Sequence, residues 1–330
     1  MKHFLKDDDI TADEQRRLIA FARELKTDRY TRPLLGGPPP AVPDGIDSRL
    51  LATPRSVAVI FEKESTRTRM SFQVGITELG GNAVLFDAQS SHLARGESIE
   101  DTARVLSRYV DAIVIRTFAD ARIAALAGAS SVPVVNALTD GYHPCQLLAD
   151  LMTITEEFGA VAGRTIAFVG DTGNNMGHSY LLAGALAGAH VRLAGPDLHP
   201  PAGDVLRSAT ELAAAHGGSV SVTTDPIAAI DGADVVATDT WLSMGQDNRE
   251  SRMAALAPYR LDERLLANAA EHAIVLHCLP AHRGEEITDE VMDGPQSRVF
   301  EQAENRLHTQ KALLAWLITD ALPPLEEVPT

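Results

Sequence analysis

Short apolar runs alternate with amphipathic stretches of helical periodicity along most of the chain. The run SVAVIF at 56–61 is apolar at nearly every position, which is typical of a strand buried on both faces of a sheet. The stretch at 68–79 that follows it has the spacing of a helix. Strands that alternate with helices indicate a parallel sheet with helices on its faces. In the first half we predict strands at 56–61, 83–86, 112–115 and 132–136 and helices at 11–26, 68–79, 98–109 and 119–127.

The second half of the chain repeats this alternation. A long apolar stretch at 145–158 follows Pro144 and predicts a helix that crosses from one domain to the next. The prediction is an α/β protein of two doubly wound parallel-sheet domains joined by crossing helices, with the C-terminal helix returning to the first domain. In this half we predict strands at 165–169, 190–194, 220–223, 235–238 and 274–276 and further helices at 178–187, 204–216 and 309–322.

Length, composition and charge restrict the number of domains and the kinds of partner that we expect. The 330 residues suit two domains, and a chain with 45% hydrophobic and 22% charged residues is not disordered throughout. A net charge of −16 predicts a surface that repels nucleic acid and anionic membrane, so we expect neither as a partner. Cys145 and Cys278 cannot form a disulfide framework and no apolar run has the length of a membrane span, so we expect a cytoplasmic protein. The five prolines within 33–43 are typical of a surface loop.

In folds of this class ligands bind beyond the carboxyl ends of the strands. The sequence FEKESTRTR at 61–69 follows the first predicted strand and places hydroxyls and two arginines where a helix begins. Helix N-termini and guanidinium groups both bind phosphate, so this segment predicts a phosphate site. The alternative is an ordinary Ser/Thr helix cap with solvated arginines. Arg116 has the equivalent place after the strand at 112–115, where a plain surface charge fits the pattern equally well.

A second motif, His143-Pro144-Cys145-Gln146, opens the helix at 145–158. His143 and Gln146 are three residues apart and so share one helix face, from which both can donate N–H groups to one oxygen. Donors aimed at a carbonyl oxygen stabilise the charge that develops there during acyl-type transfer. The alternative is that His143 simply caps the helix.

The sequence GDTGNNMG at 170–177 lies between a predicted strand and a helix, which is the context of a dinucleotide-binding loop. Its glycine spacing is G-x-x-G-x-x-x-G and not G-x-G-x-x-G, which favours the binding of a carboxylate over that of a pyrophosphate. An NAD-dependent oxidoreductase is therefore the less favoured alternative.

Two further strand ends carry candidate chemistry. Asp239 follows the strand at 235–238 and suits an ammonium group, although an Asx turn is the plainer interpretation. Cys278 follows the strand at 274–276 and is a candidate polar contact or weak acid. We do not expect a zinc site, because no second ligand pair has zinc spacing. Leu279-Pro280 is a candidate cis peptide, and Arg306, which we place before the final helix, is a candidate second anion clamp.

Taken together, these motifs resemble the aspartate/ornithine carbamoyltransferase family. The resemblance spans nearly the whole chain in the family's order. The segments DTWLSMG and HCLP are those that differ between the aspartate and the ornithine enzymes, and here they point to ornithine. The matching segments are FEKESTRTR at 61–69, DTARVLSR at 101–108, HPCQLLADLMT at 143–153, GDTGNNMGHS at 170–179, DTWLSMGQ at 239–246, HCLPAHRG at 277–284 and VFEQAENRLHT at 299–309.

The resemblance implies a site for each of two substrates and no cofactor or metal. It implies a carbamoyl phosphate-binding domain at 1–145 plus about 308–330 and an ornithine-binding domain at 146–307. It also implies a homotrimer in which His92 of a neighbouring subunit contacts the site. The residues implied for carbamoyl phosphate are Ser65, Thr66, Arg67, Thr68, His92, Arg116, His143, Gln146, Cys278, Leu279 and Arg306, and those for L-ornithine are Asn175, Asp239, Ser243 and Met244.

The implied reaction is a direct attack of the ornithine side-chain amine on carbamoyl phosphate, through a tetrahedral intermediate, to give L-citrulline and phosphate. Cys278, Arg116, His143 and Asp239 are its expected catalytic residues. Putrescine and acetylornithine remain alternative acceptors, but Asp239 and Asn175 favour an acceptor with a free α-amino group and α-carboxylate. A catalytically silent relative would be expected to lack Arg67, His143 or Cys278, and this chain has all three. Arginine biosynthesis is the expected context, although the direction of flux stays open.

Overall fold

A computed structural model describes residues 2–30, 34–36, 54–87, 96–242 and 249–325. The chain divides into two compact units. The first unit comprises Met1–Asp9, Asp13–Asp140 and Arg306–Thr330, and the second comprises Ile10–Ala12 and Gly141–Asn305. None of the described helices is both long enough and apolar enough to cross a membrane.

The first unit is built on a parallel sheet of four strands in the order β2-β1-β3-β4. Apolar residues of β1 and β3 such as Ile60 and Ile113 pack in one buried cluster with residues of α3 and α4. The strand order reverses direction between β1 and β3, where Phe61 pairs with Arg116. The elements are α1 (Ala12–Thr27), β1 (Ser56–Phe61), α2 (Thr66–Glu78), β2 (Asn82–Asp87), α3 (Ile99–Leu106), β3 (Ala112–Arg116), α4 (Asp120–Ala129) and β4 (Val134–Leu138).

The second unit has a parallel sheet of five strands in the order β7-β6-β5-β8-β9. Its reversal lies between β5 and β8, where Val169 pairs with Thr238. A short 3-10 helix, Ala257–Tyr259, lies between two of its later helices. The elements are α5 (Pro144–Phe158), β5 (Thr165–Val169), α6 (Asn175–Leu186), β6 (His190–Ala194), α7 (Gly203–His216), β7 (Ser219–Thr223), α8 (Pro226–Ile230), β8 (Val235–Thr238), α9 (Arg249–Leu256), α10 (Glu263–Leu266), β9 (Ile274–His277), α11 (Asp289–Met292) and α12 (Val299–Thr319).

The predicted fold class is confirmed: both sheets are parallel, and the part of the last helix from Arg306 onward belongs to the first unit. The predicted start of that helix at residue 309 is wrong, because α12 begins at Val299. Its first half is rich in polar residues, and several of them, including Gln302, Asn305 and Arg306, are buried. Periodicity of apolar residues cannot detect such a segment, because it scores buried polar side chains as solvent-facing. Arg306 therefore lies inside the helix and not before it.

Candidate active site

In the first unit, hydroxyl and guanidinium side chains lie after β1, at the end of β3 and on α12. We call this group the phosphate cluster, and it comprises Ser65, Thr66, Arg67, Thr68, Arg116 and Arg306. Ser65 is the N-cap of α2, and its hydroxyl oxygen accepts a hydrogen bond of 3.3 Å from the Thr68 amide. The helix-cap interpretation thus holds for Ser65 itself. The other amides of the first helical turn and the positive end of α2 nevertheless remain suited to an anion.

Two other elements of the first unit contribute arginines to this cluster. Arg306 on α12 donates a hydrogen bond of 2.8 Å to the Thr68 hydroxyl, and both side chains are buried. Arg116 ends β3, and its carbonyl accepts a hydrogen bond of 2.9 Å from the Glu62 amide just beyond β1. The fold therefore brings together two predicted site residues, Thr68 and Arg306, that are 238 positions apart in the sequence.

Glu62 is a negative neighbour of this cluster, and the sequence predicts no role for it. Its carboxylate accepts hydrogen bonds of 2.6 to 3.0 Å from the Arg122 guanidinium and a further one from the Thr117 hydroxyl. The hydrogen bonds to Glu62 and its negative charge raise the pKa of Arg122, which keeps that guanidinium protonated. Because Arg122 neutralises Glu62, the acidic side chain does not cancel the positive charge of the phosphate cluster.

In the second unit, His143 and Gln146 lie at the start of α5, as predicted. Pro144 is the first helical residue, and the His143 amide donates a hydrogen bond of 2.9 Å to the Ser179 hydroxyl. The alternative in which the His143 side chain caps the helix fails, because that side chain makes no capping bond to the described backbone of α5.

The geometry of Gln146 differs from the prediction that it donates alongside His143. Gln146 Nε2 donates a hydrogen bond of 2.8 Å to Asp150 Oδ1, one turn along α5. Gln146 Oε1 is buried and has no hydrogen-bond partner in the described part of the chain. The open end of this side chain is therefore an acceptor, which suits an amino group better than a carbonyl oxygen.

Asp239 and Cys278 come together at the carboxyl ends of β8 and β9. The Cys278 thiol donates a hydrogen bond of 2.9 Å to Asp239 Oδ1, and the Thr240 amide donates one of 2.7 Å to the same oxygen. Asp239 is only 6% exposed, and burial raises the pKa of its carboxyl despite the hydrogen bonds it accepts. A buried carboxylate of this kind binds an ammonium group favourably, because the cation restores the solvation that burial removed.

The glycine-rich loop reaches this pair through Asn174, the neighbour of the predicted Asn175. Asn174 Oδ1 accepts a hydrogen bond of 2.9 Å from the Gly177 amide as the N-cap of α6, while its Nδ2 donates one of 3.3 Å to Asp239 Oδ2. Asn175 is the first residue of α6 itself, and its contact with a ligand stays a prediction. The helix begins three residues before its predicted start at 178, because its polar first turn carries no hydrophobic period.

The glycines of this loop serve packing and do not form a nucleotide cradle. A Cβ at Gly173 would lie 2.8 Å from the Pro200 carbonyl oxygen, and one at Gly177 would lie 2.4 Å from that of Thr172. The space above each glycine is thus filled by the protein's own backbone. A dinucleotide loop needs that space for its pyrophosphate, so the geometry disfavours the oxidoreductase alternative.

Two polar residues beside Cys278, His277 and Glu286, have no predicted role in the sequence analysis. His277 Nδ1 accepts a hydrogen bond of 2.9 Å from the Leu279 amide, and its Nε2 lies 3.1 Å from the fully buried Glu286 carboxylate. Because Nδ1 accepts this bond, Nε2 is the ring nitrogen that donates to Glu286. Leu279 has a φ of 59°, and the Leu279-Pro280 peptide is cis, as the sequence suggests.

A metal site at Asp239, His277 and Cys278 is another interpretation of this cluster. One ligand atom from each of these three lies within 4.8 Å of the others. Both ring nitrogens of His277 are already engaged, with the Leu279 amide and with Glu286. A metal would have to displace one of these bonds, so the arrangement fits a structural histidine better than a ligand.

Arg252 is another residue with no role predicted from sequence, and it holds the backbone beyond Asp239. Its Nε donates a hydrogen bond of 2.7 Å to the Trp241 carbonyl, and its guanidinium also pairs with Asp171 after β5. Arg252 thereby joins the two strand ends at the reversal of the second sheet.

Several predicted positions lie outside the described residues. They are His92, Ser243, Met244 and, within the predicted proline-rich loop, residues 33 and 37–43. In the described part of that loop, Gly36 is exposed, but Leu35 is fully buried and its amide donates a hydrogen bond of 2.8 Å to the Leu79 carbonyl, so the surface-loop prediction is wrong at Leu35.

These features define a two-domain α/β protein with a cluster of hydroxyl and guanidinium side chains in one unit and a hydrogen-bonded acid–thiol pair in the other. Sequence models of the carbamoyl-P binding domain and of the Asp/Orn binding domain of aspartate/ornithine carbamoyltransferase match residues 2–156 and 162–317. The chain belongs to the aspartate/ornithine carbamoyltransferase family.

Individual relatives narrow the comparison within that family. The ornithine carbamoyltransferase of Mycolicibacterium paratuberculosis is 53% identical over 319 residues, covering 96% of this chain and 98% of the relative. That of Acidothermus cellulolyticus is 55% identical over 323 residues, covering 97% and 98%. The solved structure of ornithine carbamoyltransferase from Pyrococcus furiosus superposes with a TM-score of 0.88 at 42% identity, covering 97% of this chain and 98% of that one.

Proposed function

We propose that this chain transfers the carbamoyl group of carbamoyl phosphate to the side-chain amine of L-ornithine, giving L-citrulline and phosphate. The observation that carries the proposal is the buried Asp239, hydrogen-bonded to the Cys278 thiol, which supplies a carboxylate for an ammonium group. Ornithine has two amino groups, so one can stay charged and bind while the other reacts. Aspartate has only the amino group that reacts, and a buried carboxylate would repel its two carboxylates. The extent of the family match over both units supports the same reaction.

Carbamoyl phosphate is bound through its phosphate by the phosphate cluster. Charge-assisted hydrogen bonds contribute roughly 1.5–3 kcal/mol each, so a few of them hold a small dianion against the net charge of the protein. The Leu279 backbone and Gln146 contact the carbamoyl group. Because the open end of Gln146 is its carbonyl oxygen, we assign Gln146 to the carbamoyl –NH2 and not to the carbonyl oxygen.

Ornithine is bound by Asp239 through its α-ammonium group and by Asn175 through its α-carboxylate. Ser243 and the Met244 backbone complete this site in the proposal. The hydrogen bond from Asn174 to Asp239 supports it, because an amide there keeps the carboxylate oriented without adding charge. We propose residues 1–145 plus about 308–330 as the carbamoyl phosphate-binding domain and residues 146–307 as the ornithine-binding domain.

The acceptor amine must lose a proton before it attacks. An amine with the pKa of lysine, near 10.4, needs about 4.6 kcal/mol to become neutral at pH 7. Desolvation of the amine in a buried site lowers that cost, because burial disfavours the charged ammonium form. Cys278 orients the amine and does not attack, and the leaving phosphate accepts the proton.

The transition state carries negative charge on the carbamoyl oxygen. His143, Arg116 and Thr68 are the donors we assign to that oxygen, and preorganised donors of this kind are usually the largest single contribution to catalysis. Holding both substrates in an attack geometry supplies about 7–11 kcal/mol more, as avoided loss of entropy. This division leaves no step that requires a cofactor.

We also propose a cytoplasmic homotrimer that works in arginine biosynthesis. Among the described strands, β2 forms one edge of the first sheet, and it exposes Val84 and Leu85. An apolar sheet edge of this kind is typical of a subunit interface. The segment after β2 contains His92, which we assign to a contact with the neighbouring subunit's site.

The proposal is tested by carbamoyl transfer from carbamoyl phosphate to four acceptors assayed side by side. Ornithine, aspartate, putrescine and acetylornithine differ in whether they carry a free α-ammonium group, an α-carboxylate and a second amine. We expect ornithine to exceed the others by about 100-fold or more in kcat/KM, since each lost charged contact costs roughly 1.5–3 kcal/mol. Equal or higher turnover with putrescine would contradict the assignment of Asp239 and Asn175.

A further inference from the structure

Asp150 is a fully buried carboxylate on α5 that the proposed reaction does not use directly. Its Oδ1 accepts hydrogen bonds from Gln146 Nε2 at 2.8 Å and from Gln302 Nε2 at 2.5 Å. Its Oδ2 accepts one from the Tyr180 hydroxyl at 2.6 Å. Burial and the neighbouring carboxylate raise the pKa of Tyr180 well above its ordinary value, so this hydroxyl stays protonated and remains a donor.

Two of these three donors lead to the proposed substrate contacts. Gln146 is the residue we assign to the carbamoyl –NH2. Gln302 connects Asp150 with His277. Its Nε2 donates to Asp150, and its Oε1 accepts a hydrogen bond of 2.9 Å from the His277 amide. His277 immediately precedes Cys278 and binds the Leu279 amide through its ring. One carboxylate thus connects the residues at 143–146 with those at 277–279.

A carboxylate is an acceptor only, and this fixes the direction of both glutamine amides. If the amide of Gln146 were turned over, its Oε1 would face Asp150 Oδ1, and two acceptors would oppose each other in a buried place. Gln146 must therefore direct its Oε1 away from Asp150. The same reasoning directs Oε1 of Gln302 toward the His277 amide.

We propose that Asp150 is a positioning residue that sets which end of Gln146 faces carbamoyl phosphate and, through Gln302, fixes the backbone at His277. This proposal rests on the proposed function, because it assigns Gln146 to the carbamoyl group. The proposal makes its own prediction: activity depends on whether residue 150 can accept hydrogen bonds, and not on its negative charge.

Two substitutions of Asp150 separate acceptor character from charge. Asp150→Asn keeps one oxygen for the two glutamine amides and turns its –NH2 toward Tyr180, whose hydroxyl oxygen can accept. Asp150→Leu keeps the branched shape of the side chain but offers no acceptor. We expect Asp150→Asn to stay within about tenfold of the wild type in kcat/KM for carbamoyl phosphate, and Asp150→Leu to lose about 100-fold or more.

Tyr180→Phe is the matched control for a merely structural role. It removes a third partner of Asp150 and lowers stability, but it leaves the bonds to both glutamines intact. We expect it to unfold at lower urea concentration while its kcat/KM for carbamoyl phosphate stays within about threefold of the wild type. Gln302→Met tests the other arm, and its loss should fall mainly on kcat/KM for ornithine, since that arm leads to His277 and Cys278.

The measurements are steady-state constants for both substrates and urea unfolding of each variant. The proposal is overturned if folded Asp150→Leu retains activity within about tenfold of the wild type, or if Tyr180→Phe loses as much as Asp150→Leu. If Asp150→Leu does not fold, Asp150→Asn and Gln302→Met decide: a loss of about 100-fold in the former, or unchanged kinetics in the latter, overturns it. Failure of the proposed function is distinguished by the wild type, which would then form no citrulline at all.

Discussion

The phosphate cluster and the cluster around Asp239 suit ligand groups of opposite charge. The phosphate cluster of the first unit gathers cations and a helix terminus, and within it Thr66 is exposed, Arg67 is partly exposed, and Thr68 and Arg306 are buried. The cluster around Asp239 in the second unit contains an acid, a thiol, amides and an imidazole, and within it Asp239, His277 and Glu286 are buried. We expect an anion to be held mainly by positive charge, and an amine-bearing substrate to be held by buried groups of fixed polarity.

The two clusters also differ in what the neighbouring acidic residues do. In the first unit the neighbouring acid, Glu62, is neutralised by Arg122, so that positive charge is left over for the ligand. In the second unit Glu286 and Asp150 are fully buried acceptors that orient hydrogen bonds. The loss of a charge should therefore have a larger effect in the phosphate cluster than in the cluster around Asp239.

The largest effect is expected from Arg67→Met. Removal of its charge-assisted hydrogen bonds to phosphate should lower kcat/KM for carbamoyl phosphate by about a thousandfold, with a smaller change in KM for ornithine. Initial rates at varied concentrations of both substrates measure this. Arg69→Met is the control, because Arg69 lies on the same helix but stacks on the Phe61 ring, 5.0 Å from its centroid. Equal losses in both variants would show that overall charge, and not the cluster, governs binding.

Asp239→Asn comes next. It keeps the shape of the side chain and removes the negative charge that the α-ammonium group requires, so kcat/KM for ornithine should fall by about 100-fold. Initial rates at varied ornithine concentration measure this. Asp231→Asn is the control, since Asp231 is an exposed carboxyl in the same unit. A fall in carbamoyl phosphate affinity with unchanged ornithine kinetics would contradict the assignment of Asp239 to ornithine.

Cys278→Ala should cost less, about 10- to 100-fold in kcat, because the thiol only orients the amine. Rapid-quench intact mass measurement on the wild type with labelled carbamoyl phosphate, without ornithine, should detect no carbamoylated enzyme. Complete loss of turnover in Cys278→Ala, together with a trapped carbamoyl thioester in the wild type, would establish covalent catalysis and contradict the direct attack.

The smallest effects are expected from the pH dependence of stability, and they should have opposite signs in the two units. Burial raises the pKa of Asp239 in the second unit above its ordinary value, so its ionisation is costly to the folded state. Below the pKa that Asp239 has in the unfolded chain, this ionisation does not reduce the free energy of unfolding. The reduction is complete once the pH has risen above the pKa that Asp239 has in the folded protein. Asp239→Asn should therefore lose less stability than the wild type as the pH rises through this window.

Glu78 in the first unit should change the pH dependence of stability in the opposite direction to Asp239. Burial alone would raise its pKa, but hydrogen bonds from Arg29 and Lys311 and their positive charge lower it below 4.5. The ion pair therefore contributes stability above pH 4.5 that is lost as the pH falls through the folded pKa. Urea unfolding across this range should show the loss in the wild type and a weaker one in Glu78→Gln. An unchanged pH dependence in that variant would mean that Glu78 does not contribute.

The strands of this fold are easier to predict from sequence than its polar interior. The bounds of β1, β5, β6 and β8 agree with the prediction to the residue, because each is a short, mainly apolar run. The motifs after those strands can be found for the same reason, since ligand-binding residues follow strand ends in parallel sheets.

The roles of three buried polar residues cannot be predicted from strand ends or apolar runs. These residues are Asp150, Glu286 and Gln302. Asp150 is one polar position within an apolar helix, and nothing local shows that its partner Gln302 is 152 residues away. Buried polar networks form between residues that are distant in the sequence and close in the fold, and the spacing of apolar residues does not detect them. The first half of α12 could not be predicted for the same reason.

If the phosphate cluster and the Asp239 cluster serve one reaction, a single ligand should need both of them. A bisubstrate ligand that joins a phosphonoacetyl group to the side-chain nitrogen of ornithine tests this directly by isothermal titration calorimetry. We predict one molecule bound per chain, with affinity about 100-fold weaker in both Arg67→Met and Asp239→Asn. Binding weakened by only one of the two substitutions, or two molecules bound per chain, would show that the clusters serve separate ligands.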